Sequence, residues 1–334
     1  MRKSITLLAA AASIALIAGC SSGASTTPAG SMSSHSSIPM SVHHGVNYLA
    51  TRGDIHPSVG HVLPAFHGKG CGTTNLAFIS DFNNSVVNIY ANGTMCAQIT
   101  GLLNPQGLKV DNMGNLWIAD TGNSRAVEFK PPYNGSPAVT LNDTGYYPTD
   151  IALCKGYEAI TNIFATNGSA GNVEIYKGSA TNPTSTLTDS NTTSERFDTC
   201  DASGNLFTTY VTNNGTGGTN EWVGGKGNPK ELSALGTNFP GGIRTDNGGK
   251  LYVDDQTNRT IAISAPPYTS ISKTVTLSGA GDPVSFAVSV PEATILTADA
   301  SNNAGEYYNF RGNNTGSLAG NSSGLPIGAA FFNI

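Results

Sequence analysis

NPQGLKVDNMGNLWIADTGNSRAVEF, residues Asn104 to Phe129, decides the fold. It runs Pro-x-Gly, a short apolar strand, the turn Asp111-Asn112-Met113-Gly114-Asn115, a second strand carrying Trp117, the turn Asp120-Thr121-Gly122-Asn123, and a third strand. Both turns follow from local chemistry: Asp and Asn bond their own backbone, and Gly takes positive φ. Apolar positions alternate, the period of a strand with one face buried, and Gly, Asn or Pro interrupts every run too soon for a helix. Asp120 stands ready to bridge Arg125 at the start of the third strand. Asp255 is expected to do the same for Arg259, a structural use of the carboxylate and not an acid–base one.

The parts of this stretch recur. Phe239-Pro240-Gly241-Gly242-Ile243 leads to Leu251-Tyr252-Val253-Asp254-Asp255; Tyr147-Pro148-Thr149-Asp150-Ile151 leads to Ile163-Phe164-Ala165. Phe197 to Cys200 leads to Leu206-Phe207, and Pro283 to Ile295-Leu296-Thr297-Ala298-Asp299, while the first copy starts late at Leu76. Taking the position after each second strand as a ruler gives Asp81, Asp120, Asn167, Tyr210, Asp255 and Asp299, spaced 39 to 47 residues apart. That is the period of a four-stranded propeller blade. The copies resemble NHL repeats, best over residues 104–129 and 238–263. The expected fold is all-β: a six-bladed β-propeller of four-stranded blades over residues 72–334.

The ends of the repeat array predict how the ring closes. The first copy lacks an innermost strand, and the chain finishes with Leu325-Pro326-Ile327-Gly328-Ala329-Ala330-Phe331-Phe332, in which Pro326 and Gly328 match Pro105 and Gly107. Pairing the two leaves no exposed sheet edge at the seam.

Upstream, MRKSITLLAAAASIALIAGC has two basic residues, an apolar run too short for a convincing membrane span, and Ile17-Ala18-Gly19-Cys20. It resembles the lipobox of bacterial lipoproteins. The resemblance implies a signal peptide over residues 1–20, lipid on Cys20 and a membrane-anchored mature chain. No Asp follows Cys20, so the expected address is the outer membrane or cell surface of a bacterial envelope. Residues 21–71 read as a flexible Ser/Thr/His-containing tether, too poor in large apolar side chains to offset their ordering entropy. All six histidines lie between His35 and His67. The spacings of His43, His44, His56, His61 and His67 fit no recognised metal site.

With Cys20 assigned to lipid, four cysteines remain. Cys154 and Cys200 end inner strands of adjacent blades, which predicts a disulfide; Cys71 and Cys96 form the other pair, fastening the pre-propeller segment to the outer strand of blade one.

Chemistry is narrowed mostly by exclusion. The formal net charge of −5 with no basic patch argues against nucleic acid. No histidine follows His67, so zinc-dependent or histidine-base lyases and serine hydrolases lack a required group. A calcium-dependent hydrolase of the gluconolactonase type needs only carboxylates and Asn side chains, and it stands as the alternative, with calcium its one cofactor. The leading expectation is a non-catalytic, monomeric, envelope-anchored module that binds a protein or a polysaccharide and takes no cofactor. Its ligand face would be formed by loops between blades and between middle strands. Asp150, Glu195, Arg196 and Asp282 are the candidate ligand-binding residues, with the loop Asn213–Gly218 beside them and Glu195–Arg196 expected to form a local salt bridge. The pieces Lys130-Pro131-Pro132-Tyr133 and Ala265-Pro266-Pro267-Tyr268 read as duplicated turns leading to outer strands.

Overall fold

The computed structural model describes residues 65–68, 71–72, 75–291, 293–318 and 324–332. The lipobox with Cys20, the tether up to residue 64 and the histidines from His35 to His61 lie outside the described residues.

Among the described residues, twenty-five strands occur in chain order. The first sheet takes β1 (Ala65–Gly68), β2 (Leu76–Asp81), β3 (Val86–Ala91) and β4 (Thr94–Thr100). Blade two holds β5 (Pro105–Val110), β6 (Leu116–Asp120), β7 (Arg125–Phe129) and β8 (Val139–Asn142). Blade three holds β9 (Tyr146–Cys154), β10 (Tyr157–Ala165), β11 (Val173–Tyr176) and β12 (Ser185–Leu187). Blade four holds β13 (Thr192–Cys200), β14 (Leu206–Thr212), β15 (Gly217–Trp222) and β16 (Lys230–Glu231). Blade five holds β17 (Pro240–Thr245), β18 (Leu251–Asp255), β19 (Thr260–Ser264) and β20 (Lys273–Thr276). Blade six holds β21 (Pro283–Ser289), β22 (Thr294–Asp299), β23 (Ala304–Asn309) and β24 (Asn314–Ser317). The last strand, β25 (Pro326–Phe332), returns to the first sheet.

Five sheets are antiparallel meanders; the first, also antiparallel, has the order β1-β4-β3-β2-β25, in which β1 and β25 join out of sequence. The six innermost strands β25, β5, β9, β13, β17 and β21 each contact the next, and β21 contacts β25, so the ring is closed. The expected six-bladed propeller, sealed by the C-terminal strand, is the fold observed. Blade one departs from four strands because β1 adds a fifth, pairing Ala65–Gly68 with Ala97–Thr100. It lies inside the segment read as tether.

A blade packs both faces against neighbours, which is why β6 is buried along its whole length and does not alternate apolar with polar. Phe78, Val87, Ile89 and Ile99 of blade one interleave with Leu108, Ile118, Val127 and Phe129 of blade two. Ala152, Val173 and Ile175 of blade three meet Leu206 and Trp222 of blade four. Burial of this sort is worth about 1.5–3 kcal/mol per large side chain.

One carboxylate device recurs at the end of the second strand. Asp120 Oδ1 accepts from the Leu103 amide at 2.7 Å, Asp255 Oδ2 from Asn238 at 2.9 Å and Asp299 Oδ2 from Gly281 at 2.7 Å. Each bond pins the connection entering that blade to the blade itself. At the seam Asp81 Oδ1 accepts from the Leu325 amide at 3.1 Å, so the returning C-terminus is held as an internal connection is. Tyr210 occupies the equivalent position in blade four. In blade three the ruler is corrected: Pro148 pairs with Asn162 as Pro105 does with Asp120, so the equivalent residue is Asn162, and Asn167 lies beyond the end of β10. Arg125 Nε meets Asp120 Oδ2 at 2.7 Å as expected. The parallel expectation for Arg259 is corrected: its Nε donates to the Gly281 carbonyl at 3.0 Å, and β19 starts one residue later. Arg259 has φ +55°, a left-handed conformation that turns its side chain toward the next connection.

The first turn reading holds, with Gly114 at φ +84°; in the second it is Ser124 at φ +51°, and not Gly122, that takes the left-handed conformation. Asp111 Oδ1 accepts from the amides of Met113 and Asn115, and Asp201 and Asp246 repeat the pattern in blades four and five. In both Pro-Pro-Tyr turns the tyrosine hydroxyl donates to a hairpin glycine carbonyl of its own blade: Tyr133 to Gly114 at 2.7 Å and Tyr268 to Gly249 at 2.8 Å. Disulfides join Cys71 to Cys96 and Cys154 to Cys200, with Cα–Cα separations of 5.4 and 5.3 Å.

Candidate functional site

All six inner strands begin at the face carrying the connections between blades and end at the face carrying the inner hairpin turns. The sequence placed the ligand residues on the connection face. Asp150, Glu195, Arg196 and Asp282 are all buried, at 0 to 4 % exposure. They belong to the walls of the ring and are not presented on an open surface.

Their contacts explain the burial. Asp150 Oδ2 pairs with Arg244 Nη1 at 3.0 Å across two blades. Glu195 Oε1 accepts from the Thr192 hydroxyl at 3.4 Å, and burial pushes its carboxyl up to about 8. The Arg196 guanidinium lies over the rings of Phe197 and Phe239, 5.7 and 5.6 Å from their centroids. The cation is thus held between two aromatic faces. The Asp282 amide donates to Asp299 Oδ1 at 2.9 Å, which makes this residue part of the blade-six entry.

What stays open on the connection side is a cleft over blade four. It has a volume of about 640 Å³ and is lined by Asp189, Asn191, Tyr210, Thr216, Asn220 and Glu231, among others. Asn213 to Thr216, predicted as part of the ligand face, are exposed and end at this cleft. The Asp189 carboxylate accepts from Asn191 and Asn220, so the lining is pre-ordered by its own hydrogen bonds. Trp222 is fully buried in the blade core and takes no part in the cleft.

Sequence reasoning missed a second feature. Lys109, Asp150, Asp198 and Arg244 come from four consecutive inner strands and converge on the channel. Arg244 is fixed by Asp150, by the carbonyls of Ile243 and Leu108 at 2.8 and 3.3 Å, and by Ser285 Oγ at 3.4 Å. Burial, reinforced by Asp150, drives the Asp198 carboxyl well above the usual carboxylate range, which favours its neutral acid. Asp150 and Asp198 sit at unlike places in their repeats, so no motif shared by all four marks the cluster. The available signal was a Lys and an Arg at matched inner positions, Lys109 and Arg244, in copies otherwise filled by small or apolar residues.

Lys109 and Arg244 line a pocket of about 110 Å³ at the hairpin-turn end of the channel, whose other walls include Ala287, Val288, Ala329 and Phe331. A wider mouth of about 410 Å³ adjoins it, lined by Val110, Asp111, Asp246, Val290, Phe331 and Phe332, among others. Among the described residues no group of three or more His, Cys, Asp or Glu side chains is arranged to hold a metal ion.

The NHL repeat family model matches residues 102–126, inside the stretch that set the period. No curated protein matches the chain. Among solved structures, a chain of the crystal structure of a nidogen/laminin complex is similar at 15% identity and a TM-score of 0.63, covering 77% of this chain and 98% of that one. A functionally unknown protein from Desulfotomaculum acetoxidans is similar at 13% identity and a TM-score of 0.54, covering 78% and 99%. At these identities the likeness establishes the propeller fold alone.

Proposed function

We propose that this protein is a non-catalytic binding propeller held at a bacterial envelope through lipid on Cys20, and that its ligand is a protein or a polysaccharide. The observation that carries this reading is the polar cleft over blade four: a concave surface with carboxylate, amide and hydroxyl groups in fixed positions and no histidine in its lining to act as base. The fold likeness to a chain from a protein–protein complex favours a protein ligand over a glycan. Burial of Asp150, Glu195 and Asp282 speaks against calcium-dependent lactone hydrolysis at the channel mouth.

The test is a pull-down from envelope extracts alongside a glycan array, using the full chain and a Glu231→Ala/Asn228→Ala double variant. Both residues are exposed at the cleft, so the fold is expected to tolerate their loss. Specific capture by the parent, reduced tenfold or more in the variant, supports the reading. Turnover of a lactone that disappears on chelation would sink it.

A further inference from the structure

The pocket at the hairpin-turn end of the channel has two unlike walls. Strands β5 and β17 supply cations, Lys109 and Arg244; strands β21 and β25 supply Ala287, Ala329 and Ala330. Strands β21 and β25 form the arc of the ring between β17 and β5, and their small residues leave room between the two cations. A volume of about 110 Å³ is somewhat below the ~150 Å³ that admits benzene, so it suits a group of a few heavy atoms.

The cations differ in availability. Arg244 is consumed by Asp150, two carbonyls and Ser285. Lys109 is half-buried, and among the described residues its ammonium has no hydrogen-bond or ion-pair partner. Asp198 on β13 is fully buried. Arg244 balances Asp150 and burial favours the neutral acid of Asp198, which leaves Lys109 as the cation without a paired counter-charge. A lone half-buried cation beside an apolar-walled space is complemented by one negative charge on an apolar stem.

We propose that this pocket is a binding site for a monocarboxylate on a short aliphatic stem, with Lys109 as the ion-pair partner and Ala287, Ala329 and Val288 covering the stem. The site is separate from the blade-four cleft and does not depend on the function proposed for it. The protonation of Lys109 supports the assignment: burial and then Arg244 push its amine down to about 8, as expected for an ammonium still short of an anion. The charged groups facing it are Arg244, Asp150 and Asp198, with Asp111 and Asp246 out on the rim.

Isothermal titration calorimetry of the full chain tests this with three probes: sodium butyrate, acetyl-Val-Val with a free C-terminal carboxylate, and the same peptide as its amide. Butyrate binding points to a free small acid; binding of the peptide acid alone points to a polypeptide carboxylate that reaches the pocket through the wider mouth. Either supports the site, provided the amide fails to bind. Affinity should fall about tenfold from pH 7 to pH 9, one pH unit above the amine's pKa, as Lys109 loses its proton. Lys109→Gln should weaken binding at least tenfold, whereas Lys109→Arg should keep it and abolish the pH dependence. Unchanged thermal unfolding of both variants verifies the fold. Absence of binding by both acids, binding indifferent to Lys109→Gln, or affinity flat from pH 7 to 9 in the parent overturns the proposal.

Discussion

Glu195 shows how a single carboxyl in this ring couples stability to pH. It is wholly buried on β13 and titrates near 8, whereas in the unfolded chain a Glu titrates near its ordinary value. Between those two values the folded state keeps a proton that the unfolded state has released, so stability declines as pH rises through this window. The slope is about 1.4 kcal/mol per pH unit for each such group. Asp143, pushed up to about 7 by burial and by Glu174, contributes in the same direction. Glu195→Gln should therefore flatten the pH dependence of urea-unfolding free energy between pH 5.5 and 7.5 by roughly that slope. An unchanged slope would show that the carboxyl is ionised in the fold. The type and position of Glu195 were readable from sequence; its burial was not, because an entry to an inner strand looks the same whether the channel end is open or filled.

At the scale of elements, the ring is stitched by bonds between a strand and the connection that precedes it. Asp81, Asp120, Asp255 and Asp299 do this from equivalent positions, and the regular ruler in the sequence is the trace of that shared task. Blades three and four lack the aspartate, and there the Cys154–Cys200 disulfide spans the ends of the neighbouring inner strands β9 and β13. The bridge fastens the pair of blades whose repeats are weakest. Cys154→Ser/Cys200→Ser should cost about 2–4 kcal/mol of stability by denaturant titration. Hydrogen exchange should rise first in β9 and β13. Uniform loss of protection across all blades would contradict this local role. The Cys pairing was legible because both positions could be indexed against the repeat. The fifth strand β1 was not, since Ala65–Gly68 is too short to show a period and acquires its partner only from β4.

For the whole molecule, the C-terminal strand decides whether six sheets make a ring. Ile327 and Ala329 are fully buried in β25, and the Gly328 amide donates to Ser80 Oγ at 2.7 Å. A Cβ at residue 328 would stand 2.1 Å from the Gln106 carbonyl oxygen, so only glycine lets the closing strand approach blade two. Removing residues 325–334 exposes the edge of β2 and the facing side of β5 at once. The expected result is loss of the single cooperative unfolding transition, or a drop of about 5 kcal/mol or more, since several buried side chains go together. Unaltered calorimetric unfolding of the truncated chain would refute ring closure as the source of cooperativity.

The sequence by itself determined the period, the turn chemistry, the number of blades, the seam and the disulfide partners. Each of these is carried by contacts within one repeat or by comparison of one repeat with the next. Only the tertiary structure decided which polar residues are open. Lys109, Asp150, Asp198 and Arg244 lie far apart along the chain and meet because four inner strands point at one axis. Burial and the shape of a cavity are properties of that convergence, and no local pattern encodes them.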